Sequence, residues 1–210
     1  MKEFFSNPNT WLSIVTTLVA VFALSLTLWQ IRLSNKQQLF DKRLDKYLFV
    51  LDMLSTYKNA ESTLDYDMSG AVEFQFALLT NCSFMETITD VIEKPIHHHL
   101  HKEFLKKLEE IEKNATEIEL LWDSKDSKCI AEFISLYRKL LQSIYKQQIY
   151  LQHLSKQNEV SPITLEKAQE EARSSAEDVG LFECIRKIKA VYQKIEQGKL
   201  EEKLKESIKL

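Results

Sequence analysis

Glycine and proline are scarce, three of each in 210 residues. Proteins that cradle phosphates or dinucleotides need glycine-rich loops for close backbone approach. Gly70, Gly180 and Gly198 stand far apart, so no such loop is present. So few breakers also disfavour a many-turned β fold and favour long helices. The three cysteines, Cys82, Cys129 and Cys184, are odd in number and widely spaced, with no CxxC pair. That excludes a disulfide framework and fits a reducing compartment, with each thiol a small apolar core group. Charge of one sign is lacking too. Lys and Arg number 28 against 31 Asp and Glu, for a net charge of −3. No global field favours nucleic acid, so a nucleic-acid partner is not expected.

What the chain does have is a long uncharged run. No charge occurs from Phe4 to Ile31, and the stretch Trp11–Ile31 reads WLSIVTTLVAVFALSLTLWQI. Trp11 and Trp29 are 18 residues apart, roughly 27 Å on a helix, against about 30 Å of bilayer hydrocarbon. Tryptophan is favoured at both membrane interfaces, so these two are the predicted interface anchors. A cleaved signal peptide fits less well, because the apolar run continues past a cut after Ala23 and the charged n-region is Lys2 alone. The C-terminal flank carries Arg32, Lys36, Lys42, Arg43 and Lys46, whereas Lys2 is offset by Glu3. The excess of positive charge predicts that flank in the cytoplasm and the N-terminus outside. The sequons at Asn81 and Asn114 are then out of reach of glycosylation. Ser13, Thr16, Ala20, Ala23 and Thr27 recur at spacings 3, 4, 3, 4 among Leu, Val and Phe. Small residues let helices approach closely in lipid, so this stripe predicts a homo-oligomer formed through the anchor. The stripe continues through Gln30, Ser34 and Gln37 to Phe40, Leu44 and Tyr47, as a seam that suits helix pairing in water.

The remainder predicts an all-α fold: one N-terminal transmembrane helix running on into a cytoplasmic antiparallel bundle of four or five long helices. Leu33, Phe40, Leu44, Tyr47, Leu51 and Leu54 form the first helical stripe, which a loop at Asp65–Gly70 ends. A second helix is expected over Ala71–Lys94, with Phe74, Leu78, Cys82, Met85, Ile88 and Ile92 on one face and Pro95 as its break. A third spans His97–Trp122 on Phe104, Leu108, Ile111, Ala115, Ile118 and Trp122, with Glu103–Lys107 and Glu109–Lys113 in favourable i,i+4 order. After a loop at Asp123–Lys128, a fourth carries Ile130, Ile134, Tyr137, Leu141, Ile144 and Leu151. Ser161 as N-cap and Pro162 at the first helical position mark the start of a fifth. Its stripe of Leu165, Ala168, Ala172 and Ala176 slips phase near Gly180 before Leu181, Ile185, Ile188, Tyr192 and Ile195, which predicts a break. The organisation is therefore residues 1–10 outside, 11–31 in the membrane, 32–197 as bundle and 198–210 as a charged, frayed tail. No internal repeat points to a solenoid.

Chemistry-bearing clusters are few, and each has a plain structural reading. His97 and His101 would share a helix face at i,i+4, a spacing that binds zinc, but no third ligand lies nearby and no HExxH occurs. His98 and His99 complete a group able to titrate near neutrality. The plain reading is a hydrated first turn. Asp65, Asp67, Ser69, Gly70 and Glu73 imitate a calcium loop, but its twelfth position, which needs a bidentate Glu, is Phe76. Eight Lys and Arg between Arg186 and Leu210 face four Glu and read as a solvated helix face. His153 reads as structural. No catalytic residue, cofactor or metal is expected.

The segment QQLFDKRLDKY (Gln37–Tyr47), directly after the anchor, looks like a juxtamembrane feature of bacterial anchored proteins. In architecture the chain resembles the small single-pass membrane-anchored helical proteins of bacterial phage-defence and abortive-infection systems. That resemblance carries no functional residue, and what it implies is a membrane-perturbing effector of antiphage defence. The reading from the residues themselves is a non-enzymatic adaptor or scaffold, tethered to the bilayer at the cell membrane, with a cytoplasmic protein as partner. An enzyme with a helical active site is the third reading.

Overall fold

The computed structural model describes residues 8–64 and 72–208, and among these no strand occurs. The fold is all-α. Its helices are α1 (Pro8–Ala60), α2 (Val72–Thr80), α3 (His101–Trp122), α4 (Lys125–Val160), α5 (Leu165–Asp178), α6 (Leu181–Gly198) and α7 (Leu200–Glu206), with 3₁₀ turns at Glu61–Thr63 and Glu86–Ile92. The chain divides into two units between Leu44 and Asp45.

In the first unit, α1 begins with Pro8, whose fixed φ suits a helix start. It is the one helix among the described residues that is long and apolar enough to cross a membrane, and its apolar window is wholly exposed. Residues 32–39, expected in the bundle, are exposed as well, and the compact second unit starts only at Asp45. Leu33 is accordingly exposed, although it belongs to the predicted stripe.

In the second unit, α4 is the central helix and packs against α2, α3, α5, α6 and α7. A short turn at Asp123 and Ser124 folds α3 back on α4. Residues 161–164 fold α5 back again, and α6 follows α5 through Gly180. The C-terminal part of α1 contributes Tyr47, Val50, Met53, Leu54, Tyr57 and Ala60 to the core. Tyr57 lies at the middle, with ring centroids 5.4 Å from Phe133 and 4.9 Å from Tyr192. Tyr137 beside it donates its hydroxyl to the Leu79 carbonyl, which satisfies the one polar atom that its burial would otherwise strand. The stripe of α6 is buried as the 3/4 spacing predicts, and so are that of α3 as far as Ile118, with Trp122 half-buried, and that of α4 as far as Ile144.

Several elements differ from the pattern reading. The expected helix over Ala71–Lys94 stops at Thr80. Thr80, Asn81, Cys82 and Ser83 form helix poorly because short polar side chains compete for the backbone. The Thr80 hydroxyl does so here, bonding the Phe76 carbonyl at 2.8 Å and Thr89 Oγ1 at 3.0 Å. Cys82, Met85, Ile88 and Val91 then repeat every three residues, the period of a 3₁₀ helix, and all are buried. Phe74, placed on the buried face, is 58% exposed. On α3 the ion pairs run the other way from those expected, with Lys107–Glu110 at 3.1 Å and Lys113–Glu117 at 3.8 Å.

The predicted loop at Asp123–Lys128 closes early, because Ser124 and Ser127 form a reciprocal capping box that starts α4 at Lys125. Ser161 is the C-cap of α4 rather than the N-cap of α5. Thr164 caps α5 instead, accepting from the Lys167 amide. Leu165, at the first helical position after that cap, is 74% exposed. The break at Gly180 is present, with φ at +71°. As far as Ile208 the tail is packed rather than frayed, because Leu200, Leu204 and Ile208 are buried and Trp122 Nε1 donates to Ser207 Oγ at 2.6 Å.

Candidate functional site

The predicted site residues of the anchor all lie on α1. Trp11 is 52% and Trp29 63% exposed, like the whole stretch between them. Ser13, Thr16, Ala20, Ala23 and Thr27 are exposed along one stripe. Their hydroxyls are partly committed within the helix. Thr16 Oγ1 donates to the Leu12 carbonyl at 2.7 Å and Thr27 Oγ1 to that of Ala23 at 2.9 Å. Those protons are already engaged, so what the stripe offers a second helix is chiefly close approach rather than hydrogen-bond donation.

The histidines do not share a helix face. α3 starts only at His101, so His97 stands in the preceding turn. The rings of His98 and His99 stack at 4.4 Å. His101 Nδ1 lies 2.6 Å from the Tyr145 hydroxyl, which donates to the Pro95 carbonyl, so the ring nitrogen is the donor in this pair. The contact ties the turn after the 3₁₀ segment to α4. Among the described residues no three His, Cys, Asp or Glu side chains are gathered so as to hold a metal ion. Asp65, Asp67, Ser69 and Gly70 lie outside the described residues. Glu73 accepts from Gln148 Nε2 at 2.5 Å, and Phe76 is fully buried. His153 is exposed on α4. The sequon residue Asn114 accepts from Lys46 Nζ and donates to the Glu110 carbonyl.

The three thiols are free. Burial pushes the Cys184 thiol up to about 11 and raises Cys129. Cys82 is raised by burial first and by the negative charge of Asp52 second. Thiols raised in this way are poor nucleophiles at neutral pH.

The feature that pattern reading does not find is a groove of about 530 Å³ lined by Leu48, Phe49, Leu51, Asp52, Ser55, Ser83 and Phe84. It arises from two local facts. The core face of α1 runs through Val50, Tyr57 and Ala60, which turns Leu48, Asp52 and Ser55 outward at i, i+4 and i+7. The 3₁₀ period carries Cys82 and Met85 inward and leaves Ser83 and Phe84 at the surface. Phe84 meets Phe49 edge to face at 5.1 Å, and Lys107 Nζ lies 4.1 Å above the Phe84 ring. Ser83 Oγ donates to Asp52 Oδ2 at 3.0 Å. The result is an apolar, aromatic trough with a single half-buried carboxylate, of the size of small binding clefts. Leu48, apolar and 53% exposed, is the one visible signal.

Two smaller cavities are internally satisfied or blander. One, of about 280 Å³, lies among Lys139, Lys146, Gly180, Glu183 and Lys187. There Glu183 already holds Lys187 at 2.6 Å and Ser143 donates to the Val179 carbonyl. The other, of about 260 Å³, lies where α4 and α5 meet near Leu154 and Ala168. Compared with known proteins, the chain matches no family model, no curated protein and no solved structure.

Proposed function

We propose that the protein is a membrane-tethered helical interaction module, acting as an adaptor or scaffold rather than as an enzyme. Trp11–Ile31 is the single-pass anchor in the cell membrane, the N-terminus is outside, and the bundle works in the cytoplasm, with a cytoplasmic protein as its partner and a second copy paired through the anchor. One observation carries the reading. Every side chain of the uncharged stretch Trp11–Ile31 is exposed, while the second unit fills its own core without it. Large apolar patches left bare in water are strongly unfavourable, so the stretch needs lipid or a partner. The aromatic groove supports a docking role for the bundle.

The alternative, a membrane-perturbing effector of antiphage defence, calls for polar groups of the anchor turned toward water or a neighbour. The hydroxyl protons of Thr16 and Thr27 are instead held by their own helix, which favours the tether.

The test is fractionation with topology mapping. The full chain should pellet with membranes and resist carbonate extraction. A reporter active only in the cytoplasm should work when fused after Leu210, and one active only outside should not. Soluble protein, or the reverse reporter pattern, would sink the reading.

A further inference from the structure

Asp52 is the one charged residue that lines the groove. Its carboxylate is half-buried among Leu48, Phe49, Leu51 and Phe84. Its Oδ2 accepts from Ser83, but among the described residues none donates to Oδ1 and no cation pairs with it. Lys107, the cation that touches the groove's Phe84, is held by Glu110 at 3.1 Å and lies over that ring instead. A charge placed beside apolar surface loses hydration, and an opposite charge offsets that loss only if it comes close. After burial, the negative charge of Asp52 helps to raise both the Cys82 thiol and the Tyr137 phenol.

We infer that this groove receives an amphipathic helix of a partner protein, one that sets a lysine or arginine against Asp52 and large apolar side chains against Phe49 and Phe84. The inference rests on reading the protein as an interaction module and names the partner's chemistry. Charge complementarity selects a basic partner over an acidic or neutral one. The shape selects a helix. The lining of α1 advances by i, i+4 and i+7 over Leu48, Asp52 and Ser55, which is the ridge that a helix laid in a groove reads. No sheet edge is present among the described residues to recruit an extended strand.

The experiment uses the full-length chain in mild detergent and a displayed library of 18-residue helical peptides randomised on one face. Counter-selection against Leu48→Gln removes peptides that bind detergent or another surface. The expected peptides carry Lys or Arg between large apolar residues. Their affinity should fall at least about tenfold in Asp52→Asn and in Leu48→Gln, with helical content unchanged in both. Asp52→Asn retains an acceptor for Ser83, and Ser83→Ala, which keeps the charge, should bind within about twofold of wild type.

Enrichment of acidic or uncharged peptides, indifference to Asp52→Asn, or no peptide that tells wild type from Leu48→Gln would each overturn the inference. So would self-association abolished by Leu48→Gln, which would assign the groove to a second copy. Fractionation of the same strains separates the two readings. Membrane loss with peptide binding kept removes only the tether, and membrane retention without binding removes only the groove.

Discussion

The two ends of α1 are built from similar apolar stock and differ in what covers it. Trp11–Ile31 is uncharged on every face and exposed on every face. Tyr47–Ala60 alternates, burying Tyr47, Val50, Met53, Leu54 and Tyr57 while Leu48, Ser55 and Lys58 stay outside. A helix that is apolar all round has no polar side to give to water, whereas a striped one joins a core with one face and keeps the other in solvent. Periodicity, more than hydrophobicity, therefore separates the part long and apolar enough to cross a membrane from the part that packs on its own chain.

The sharpest way to break that contrast is to give the first region a charge. Val19→Arg combined with Phe22→Arg places two cations near the helix centre, each costing about 2.5–3.5 kcal/mol in the membrane. The variant should move from the membrane pellet to the soluble fraction and keep a cooperative thermal transition. If it stays in the pellet, the anchor reading fails.

The matching change in the second region is Tyr57→Ala. Tyr57 is fully buried between Phe133 and Tyr192. Truncating such a ring costs about 3–5 kcal/mol, read as a lower denaturant midpoint, with membrane partition unchanged. A shift under about 1 kcal/mol would mean that the aromatic cluster is not the centre of the bundle.

Alkaline pH probes the same core more gently. Cys184 is raised from 9.0 to about 11 and Tyr145 from 10.0 to about 12, both chiefly by burial. Folding favours their neutral forms. The stabilisation is therefore fully present below the ordinary values and is lost as pH climbs from about 9 through 12. Midpoints measured from pH 7 to 11 should hold steady to about 9 and then fall. The fall should be shallower in Cys184→Ala. A flat profile would contradict the burial of these groups.

Much of this architecture was legible because long helices advertise their period. Phe104 to Ile118 and Leu181 to Ile195 could be assigned face by face, since a 3/4 spacing admits one burial pattern. Residues 81–92 could not. A three-residue repeat of Cys82, Met85, Ile88 and Val91 passes for an α stripe when Val91 is skipped for Ile92. The groove was hidden for a different reason. Ser83 and Asp52 meet across 31 residues of sequence, and no local pattern reports a contact made by tertiary packing. Ser-Pro is a strong local signal and draws the start of α5 to Ser161, yet Thr164, equally able to cap, sits only three residues on.

A smaller perturbation tests the break between α5 and α6. Gly180 holds φ at +71°, and no atom lies within 4 Å of the place a methyl would take. Gly180→Ala therefore adds backbone strain without a clash, about 1 kcal/mol. A loss well above about 2 kcal/mol would show that the methyl meets a neighbour. No loss would show that the turn relaxes to an ordinary helical bend.

The smallest expected effect belongs to the anchor's stripe, and it decides how two anchors would meet. In lipid, apolar burial gives no drive for pairing, so association rests on close backbone approach or on hydrogen bonds between helices. Thr16 and Thr27 already donate to the carbonyls of Leu12 and Ala23, which leaves their oxygens as acceptors and Ser13 as the stripe's one hydroxyl not held by its own helix among the described residues. Close approach is then the working term. Ala20→Leu with Ala23→Leu should separate the backbones and weaken association in a membrane two-hybrid assay without disturbing insertion. Thr16→Val with Thr27→Val, which keeps the shape and removes the hydroxyls, should stay within about 0.6 kcal/mol of wild type. Leu18→Ala, off the stripe, should be neutral. If the threonine pair matters more than the alanine pair, hydrogen bonds across the helices outweigh packing. If all constructs behave alike, the small-residue stripe is incidental and the anchor serves as a tether alone.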